Sequence, residues 1–452
     1  MTLRRELATS ARLAAPLAAG HLSTGMIGFV DAVVAGRHTT TTLASVSVGT
    51  ALFWLPMMIP LGTLMAVPPA VSQRDGGGRR GEIGPLFRQA LWLAALLGLA
   101  MFAFLTVAPH ALAPMGIAPG IRPGAEGFMH AIRWGVPALA LYLCMRYLSD
   151  GLHWTWPSMV FGFGGLVVLV PLGIALTFGI GPLPELGATG LGIASAVMMW
   201  MQALAMAIYL ARARRFADLG LFARFDAPDR RVIGGLVRTG LPIGVTVLME
   251  GSLFIVTALL IGRLGEVPAA AHQIAINVAS LAFMIPFGIA EATTVRVGHA
   301  VGRRDVEGVA RAARAGYTLL LATQTLAALV MLAGNDAIVA LYTRDAAVAA
   351  LAATLLLYAA AFQFPDGIQV VSAGALRGLD DTRVPMLLAA LAYWGIGMPV
   401  GAGLGLWLGW GPTGMWIGLI AGLVVAAVLL SRRFATRRPR SLAMTIAPVT
   451  NG

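Results

Sequence analysis

Twelve times along its 452 residues the chain runs for 19 residues or more with few charges, and this constrains it more than any motif. The runs are 13–35, 45–71, 86–107, 126–148, 159–180 and 188–210. After a polar stretch come 236–262, 270–294, 312–334, 351–375, 385–408 and 413–431. A helix rises about 1.5 Å per residue, so roughly 20 apolar residues cross the hydrocarbon of a bilayer. In lipid, a lone segment satisfies its backbone polar groups only by coiling into a helix. Composition agrees: 58% of residues are hydrophobic, 12% are charged and the mean hydropathy is +0.81. Soluble domains carry about 25% charged residues, and one aqueous core cannot hide this much apolar surface. The predicted fold class is an all-α integral membrane protein of twelve transmembrane helices, which we number span 1 to span 12.

The formal net charge of +12 suggests nucleic acid until its placement is considered. All 32 basic residues are Arg, and they sit between the apolar runs without interleaved aromatics. With the N-terminus in the cytoplasm, 27 Arg fall in or beside cytoplasmic segments and 5 beside external ones. By the positive-inside rule both termini are therefore expected in the cytoplasm of a multi-pass plasma-membrane protein. Arg4, Arg5 and Arg12 before the first run imitate a signal peptide, but that run holds His21 and Asp31 and is too long and too polar for one. The single cysteine, Cys144, reads as a packing thiol. The Arg-rich stretch 211–235, with Leu219, Leu221, Phe222 and Phe225, reads as an interfacial linker. The expected organisation is an N-terminal six-helix bundle over 1–210, a cytoplasmic linker over 211–235, a C-terminal six-helix bundle over 236–431 and a cytoplasmic tail over 432–452.

The two bundles are copies of one unit, related by a shift near 226 residues. Pro16 matches Pro242, Gly36-Arg37 matches Gly262-Arg263, and Met58-Ile59-Pro60 with Gly62 matches Met284-Ile285-Pro286 with Gly288. Gly151, Thr155 and Met159 match Gly378, Thr382 and Met386, and Thr189-Gly190 matches Thr413-Gly414. Six spans per copy is an even number, so both copies face the same way. A pseudo-twofold axis along the membrane normal follows, as in transporters that rock two halves.

A charge in hydrocarbon costs at least about 2.5–3.5 kcal/mol, so an intramembrane carboxylate is a functional candidate. Four occur: Asp31 in span 1, Glu250 in span 7, Glu291 in span 8 and Asp366 in span 10, and no Arg lies well within those spans. The excess of negative charge points to a cationic passenger or coupling ion. Asp31 has no basic neighbour at helical spacing within the membrane, which suits a group that loads and unloads a proton; the plainer alternative is an interfacial acid paired with Arg37. Pro365 removes a helical hydrogen bond and frees the Ala361 carbonyl beside Asp366, an oxygen-rich setting for a hard cation such as Na⁺ that Glu250 can complete. The alternative there is a kink whose carboxyl bonds Gln363 or Gln369. Glu291 is equally well explained by Arg296, five residues on. Pro16 is either a hinge for span 1 or a packing kink. Phe53, Phe283 and Phe287, with Met57, Met58, Met65, Met198, Met199, Met201 and Met206, either line an adaptable cavity or simply pack.

Several chemistries are excluded. Without Lys there is no phosphate-binding Gly-Lys-Ser/Thr loop, and neither a His-Glu-x-x-His nor a Gly-x-Ser-x-Gly pattern occurs. The acids lie in separate helices, unlike the paired groups of an intramembrane glycosyl- or acyltransferase. We expect no enzyme activity and no cofactor, and an ion or proton gradient as the energy source.

The chain resembles the multidrug and toxic compound extrusion (MATE) family, NorM-like branch, along nearly its whole length. The resemblance is carried by Phe29-Val30-Asp31-Ala32-Val33-Val34-Ala35-Gly36-Arg37, Gly240-Leu241-Pro242-Ile243, Ala271-His272-Gln273-Ile274-Ala275, Arg296-Val297-Gly298-His299, Asp366-Gly367-Ile368-Gln369-Val370-Val371 and Gly374-Ala375-Leu376-Arg377-Gly378. It implies export of organic cations, drugs or toxins, in exchange for inward H⁺ or Na⁺. It further implies Asp31 as the N-half acid with Pro16 as its kink partner, and Glu250 with Asp366 as a C-half ion site open to Na⁺. Four positions depart from the family pattern. Phe362 stands where many relatives place Tyr, Leu169 and Gly173 stand where Asn is frequent, and Ser195 keeps a hydroxyl where Thr is usual. An N-half Na⁺ site is thus short of ligands, so that half is expected to use protonation of Asp31. Phe362 joins Phe53, Phe283 and Phe287 as a candidate for the substrate cavity. A monomer is expected. The nearest rival is a flippase of lipid-linked oligosaccharides or another amphiphile, which needs cationic groups in mid-membrane to hold pyrophosphate; none was expected there.

Overall fold

The computed structural model describes residues 2–444, with side chains to residue 437; Met1 and residues 445–452 of the expected tail lie outside the described residues. Among the described residues there are helices and no strands. Eleven helices are long and apolar enough to cross a membrane, and a bent pair makes a twelfth. Span 1 is Leu3–His38 and span 2 is Thr40–Gly76, interrupted at 65–66 where Pro68 and Pro69 withhold two backbone donors. Span 3 is Ile83–Val107. Span 4 is the bent pair, Arg122–Ile132 and Val136–Gly151, turning by 48° just before Pro137. Spans 5 to 10 are Trp156–Phe178, Ala188–Arg212, Arg230–Gly262, Glu266–Gly302, Val306–Ala333 and Ala346–Gly378. Span 11 is Arg383–Trp407, and span 12 begins at Gly411 and runs past 431 to Met444.

The chain packs as two compact units. One holds Ala19–Asp75 and Arg79–Gly244; the other holds the chain up to Ala18, Gly76–Gly78, and everything from Val245 on. Spans 1 and 7 therefore each change unit part-way along. The change comes two residues after Pro16 in span 1 and two residues after Pro242 in span 7, the matched prolines of the repeat.

Glycines explain how each of these helix ends is seated. In the C-terminal unit, Leu13, Ala14 and Leu17 share a buried cluster with Ile289, Ala290, Val370 and Val371. A Cβ on Gly288 would stand 2.6 Å from the Ala18 backbone nitrogen. In the N-terminal unit, a Cβ on the repeat mate Gly62 would stand 2.5 Å from the Gly244 Cα. Backbone cannot yield as a side-chain tip can, so Gly62→Val and Gly288→Val are each expected to destabilise by about 1–3 kcal/mol through overpacking. Thermal unfolding in detergent, read beside the exposed Gly234→Val, checks this. The N-terminal end of span 1 is further held by Glu6, 3% exposed, which accepts two hydrogen bonds from Arg296 at 2.7 and 2.9 Å.

The repeat extends to single dihedrals: His153 and Asp380, two residues past the matched Gly151 and Gly378, have φ of 61° and 60°. Spans 11 and 12 cross on a glycine seam. A Cβ on Gly422 would lie 2.9 Å from the Gly397 Cα, and Gly418 and Gly414 abut the Gly401 and Gly405 backbone. Close approach of small residues is how helices associate where lipid removes the hydrophobic drive. Span 11 also contains two π-helical stretches, Leu391–Gly397 and Gly403–Trp407.

The linker lies on the start of span 3 within the N-terminal unit. Phe222 and Phe225 meet Phe87 and Trp92 edge-on, the Arg88 Nε is 2.6 Å from Asp226, and Gln89 donates to the Ala227 carbonyl. Arg80, hydrogen-bonded to Asp218 at 2.8 Å, holds that carboxyl below its ordinary range. Span 7 starts at Arg230, six residues before the apolar run predicted for it.

Candidate ion-coupling sites

Glu250 and Asp366 lie on different helices and are brought together by a third residue. In the C-terminal unit, the Gln369 side-chain amide donates to Glu250 Oε1 at 3.0 Å and stands 3.5 Å from Asp366 Oδ1. The Gln369 carbonyl oxygen in turn accepts from the Tyr393 hydroxyl at 3.0 Å. Asp366 and Gln369 are each 2% exposed and Tyr393 is fully buried. Gln369 reaches both acids because it stands one helical turn after Asp366. Of the two partners expected for Asp366, Gln369 is thus the one engaged; Gln363 instead accepts from Gln324, at 2.7 Å through its side chain. Pro365, immediately before Asp366, leaves the Ala361 carbonyl without its helical donor.

The N-terminal unit carries the other acid. Asp31 is 5% exposed, and among the described residues nothing hydrogen-bonds its Oδ1 and no ion pair reaches it; Arg37 is exposed. Two further buried hydroxyls, Ser195 Oγ and Thr177 Oγ1, likewise lack hydrogen-bond partners. Leu169 is fully buried, and Gly173 faces the Leu191 side chain, so apolar atoms stand where amides were missing from the sequence pattern. Span 1 is helical through Pro16, which belongs to the C-terminal unit while Asp31 belongs to the N-terminal one.

The aromatic candidates separate. Phe53 and Phe362 are 1% and 2% exposed; Phe53 meets Trp54 edge-on, and Phe362 packs between Phe254 and Trp416. Phe283 and Phe287 are half-buried and stacked at 5.7 Å. Glu291 is buried in span 8, and Arg296, its expected neighbour, is held by Glu6.

Sequence reasoning missed three features. Tyr393 of span 11 brings a phenol to Gln369, the residue that bonds the C-half acids, although Phe362 had suggested that this oxygen was lost; a tyrosine deep in an apolar run was the available signal. Thr177 lies at the end of span 5 with nothing to distinguish it. The third is a buried ion pair five residues from the end of span 4, clear of the middle of the span. Arg146 of span 4 is 4% exposed, with its Nε 3.4 Å from Asp150, which accepts from Ser158 at 2.6 Å. That guanidinium is neutralised inside the fold one helical turn from its partner.

The family model MatE matches this chain twice, over residues 16–175 and again over 242–402, once per copy of the repeat and 226 residues apart at the start. The chain belongs to the MATE family. It is 64% identical to the probable multidrug resistance protein NorM of Xanthomonas axonopodis pv. citri (strain 306) over 443 residues, covering 98% of this chain and 96% of the relative. It is 43% identical to multidrug resistance protein PmpM of Pseudomonas aeruginosa, covering 96% and 92%. Among solved structures, the eukaryotic MATE transporter AtDTX14 matches with a TM-score of 0.85 at 16% identity, covering 97% of this chain and 99% of that one. An outward-facing multidrug resistance MATE transporter matches with a TM-score of 0.88 at 18% identity, covering 96% of each chain. As a MATE protein the chain is a multi-span membrane transporter and not an enzyme.

Proposed function

We propose that this chain is a multidrug efflux antiporter, exporting organic cations in exchange for inward H⁺ or Na⁺ by alternating access. The observation that carries this reading is the pair Glu250 and Asp366, acids from two spans gathered on one amide in a chain whose exterior is basic. Asp31, buried and unpartnered, supports protonation as the N-half step. The C-half pair, two carboxylates with the freed Ala361 carbonyl nearby in sequence, is the place for Na⁺ or a second proton. The unit change just past Pro16 and Pro242 places a point of weak backbone hydrogen bonding in each helix shared by both units, which supports the hinge over the packing kink. Drugs or toxins with a positive charge suit a transporter whose membrane charges are carboxylates. The remaining parts of this reading are a monomer, a plasma-membrane location and cytoplasmic termini, the last from the Arg asymmetry.

Everted membrane vesicles test this. Ethidium is expected to accumulate in the lumen when the lumen is made acidic or loaded with Na⁺, and the gradient that drives it names the coupling ion. Accumulation that ignores both gradients overturns the antiport reading.

A further inference from the structure

The Gln369 amide occupies the position between two acids that a cation would take. Its nitrogen has two N–H groups; one is spent on Glu250 at 3.0 Å and the other faces Asp366 at 3.5 Å. On its other side the amide oxygen accepts from the Tyr393 hydroxyl at 3.0 Å. Turned over, the amide would set its carbonyl oxygen against two carboxylates, and the phenol would have to accept instead of donate. Tyr393 itself lies in the π-helical stretch Leu391–Gly397, where the wider turn displaces side chains from their α-helical register. The titratable groups around the amide are Glu250 on span 7, Asp366 on its own span 10 and Tyr393 on span 11, with Arg377 of span 10 in electrostatic reach of Glu250.

We propose that Gln369 is a built-in stand-in for the coupling cation, donating to Glu250 and Asp366 when the ion has left and displaced when it binds, and that Tyr393 is the positioning residue that keeps the amide turned toward the acids. The proposal rests on the ion-coupling reading above. A neutral amide lends each carboxylate a hydrogen bond but no charge. An arriving H⁺ or Na⁺ supplies the charge, and an N–H aimed at a cation is repelled. The amide therefore competes with the ion: it lowers the cost of leaving the acids bare, weakens ion binding and speeds release.

The direction of the effect separates this from a structural role. Losing a donor to a charged acceptor changes an equilibrium by about tenfold or more. In proteoliposomes, ethidium exchange is followed while Na⁺ or pH is varied. Gln369→Met is expected to need about tenfold less cation for half-maximal exchange and to turn over more slowly at saturation. Tyr393→Phe is expected to shift the same way by a smaller factor, and it removes only one oxygen, so it carries the test should Gln369→Met fail to fold. If both variants match the unaltered protein, or need more cation, the stand-in role is wrong. Asp366→Asn run alongside separates the two levels of argument. Unaltered cation dependence in Asp366→Asn overturns the ion-coupling reading itself. Loss of dependence there, with unshifted Gln369→Met and Tyr393→Phe, overturns only the proposal made here.

Discussion

Asp31→Asn is expected to bring ethidium accumulation in everted vesicles down to background and to abolish drug resistance, with the protein still inserted at its normal level. An amide has the shape of the carboxyl group and cannot take up or release a proton. Asp31 is 5% exposed and its Oδ1 finds no hydrogen-bond donor among the described residues, so as a carboxylate it bears an uncompensated cost of about 2.5–3.5 kcal/mol or more. A group kept at that cost is a candidate for function, which is what the substitution tests. The same reasoning gives a second readout of opposite sign: the asparagine has no charge to desolvate, so the variant's melting temperature is expected to rise above that of the unaltered protein. Loss of transport with a gain in stability is the pattern of a functional strain. Loss of both would make Asp31 a structural residue, and retained transport with retained resistance would sink its assignment altogether.

The second large effect belongs to the C-half pair. Glu250→Gln and Asp366→Asn are each expected to remove the dependence of transport on the imposed ion gradient, and the double variant to be hardly worse than either. Groups that hold one ion together act as a unit, so their losses do not add. Gln369 links the two acids here through one amide nitrogen, which is the physical ground for that coupling. The measurement is gradient-driven ethidium uptake in the two singles and the double. Singles with modest losses that multiply in the double would mean that the acids serve separate steps.

Much of this architecture was legible in the residues. Spans announce themselves because lipid demands a fixed length of apolar chain, and the bent span 4 was still found as one run because hydropathy is blind to a 48° turn. The repeat was legible because glycines and prolines do backbone work that other residues cannot do. Gly62 and Gly288 recur because each stands where a Cβ would strike a neighbouring helix. The acids were legible because carboxylates in hydrocarbon are expensive wherever they point.

What each acid touches was another matter. Successive residues on a helix point about 100° apart, so a partner on another span depends on how that helix is turned and how far it slides. No sequence pattern gives those quantities. The π-helical stretch in span 11 carries Tyr393 to Gln369, and its effect on register leaves no mark that a period of 3.6 would reveal. Phe362 was read correctly as lacking a phenol, yet only packing could show another span supplying one. The transfer of spans 1 and 7 between units was likewise invisible, because an apolar run looks the same whichever bundle it joins. The amino-acid sequence by itself determined the twelve spans, the duplicated unit and the four acids within apolar runs, all set by local hydropathy and backbone chemistry. The tertiary structure alone decided that two of those acids share one amide and that one stands alone, because distances between helices are settled by packing.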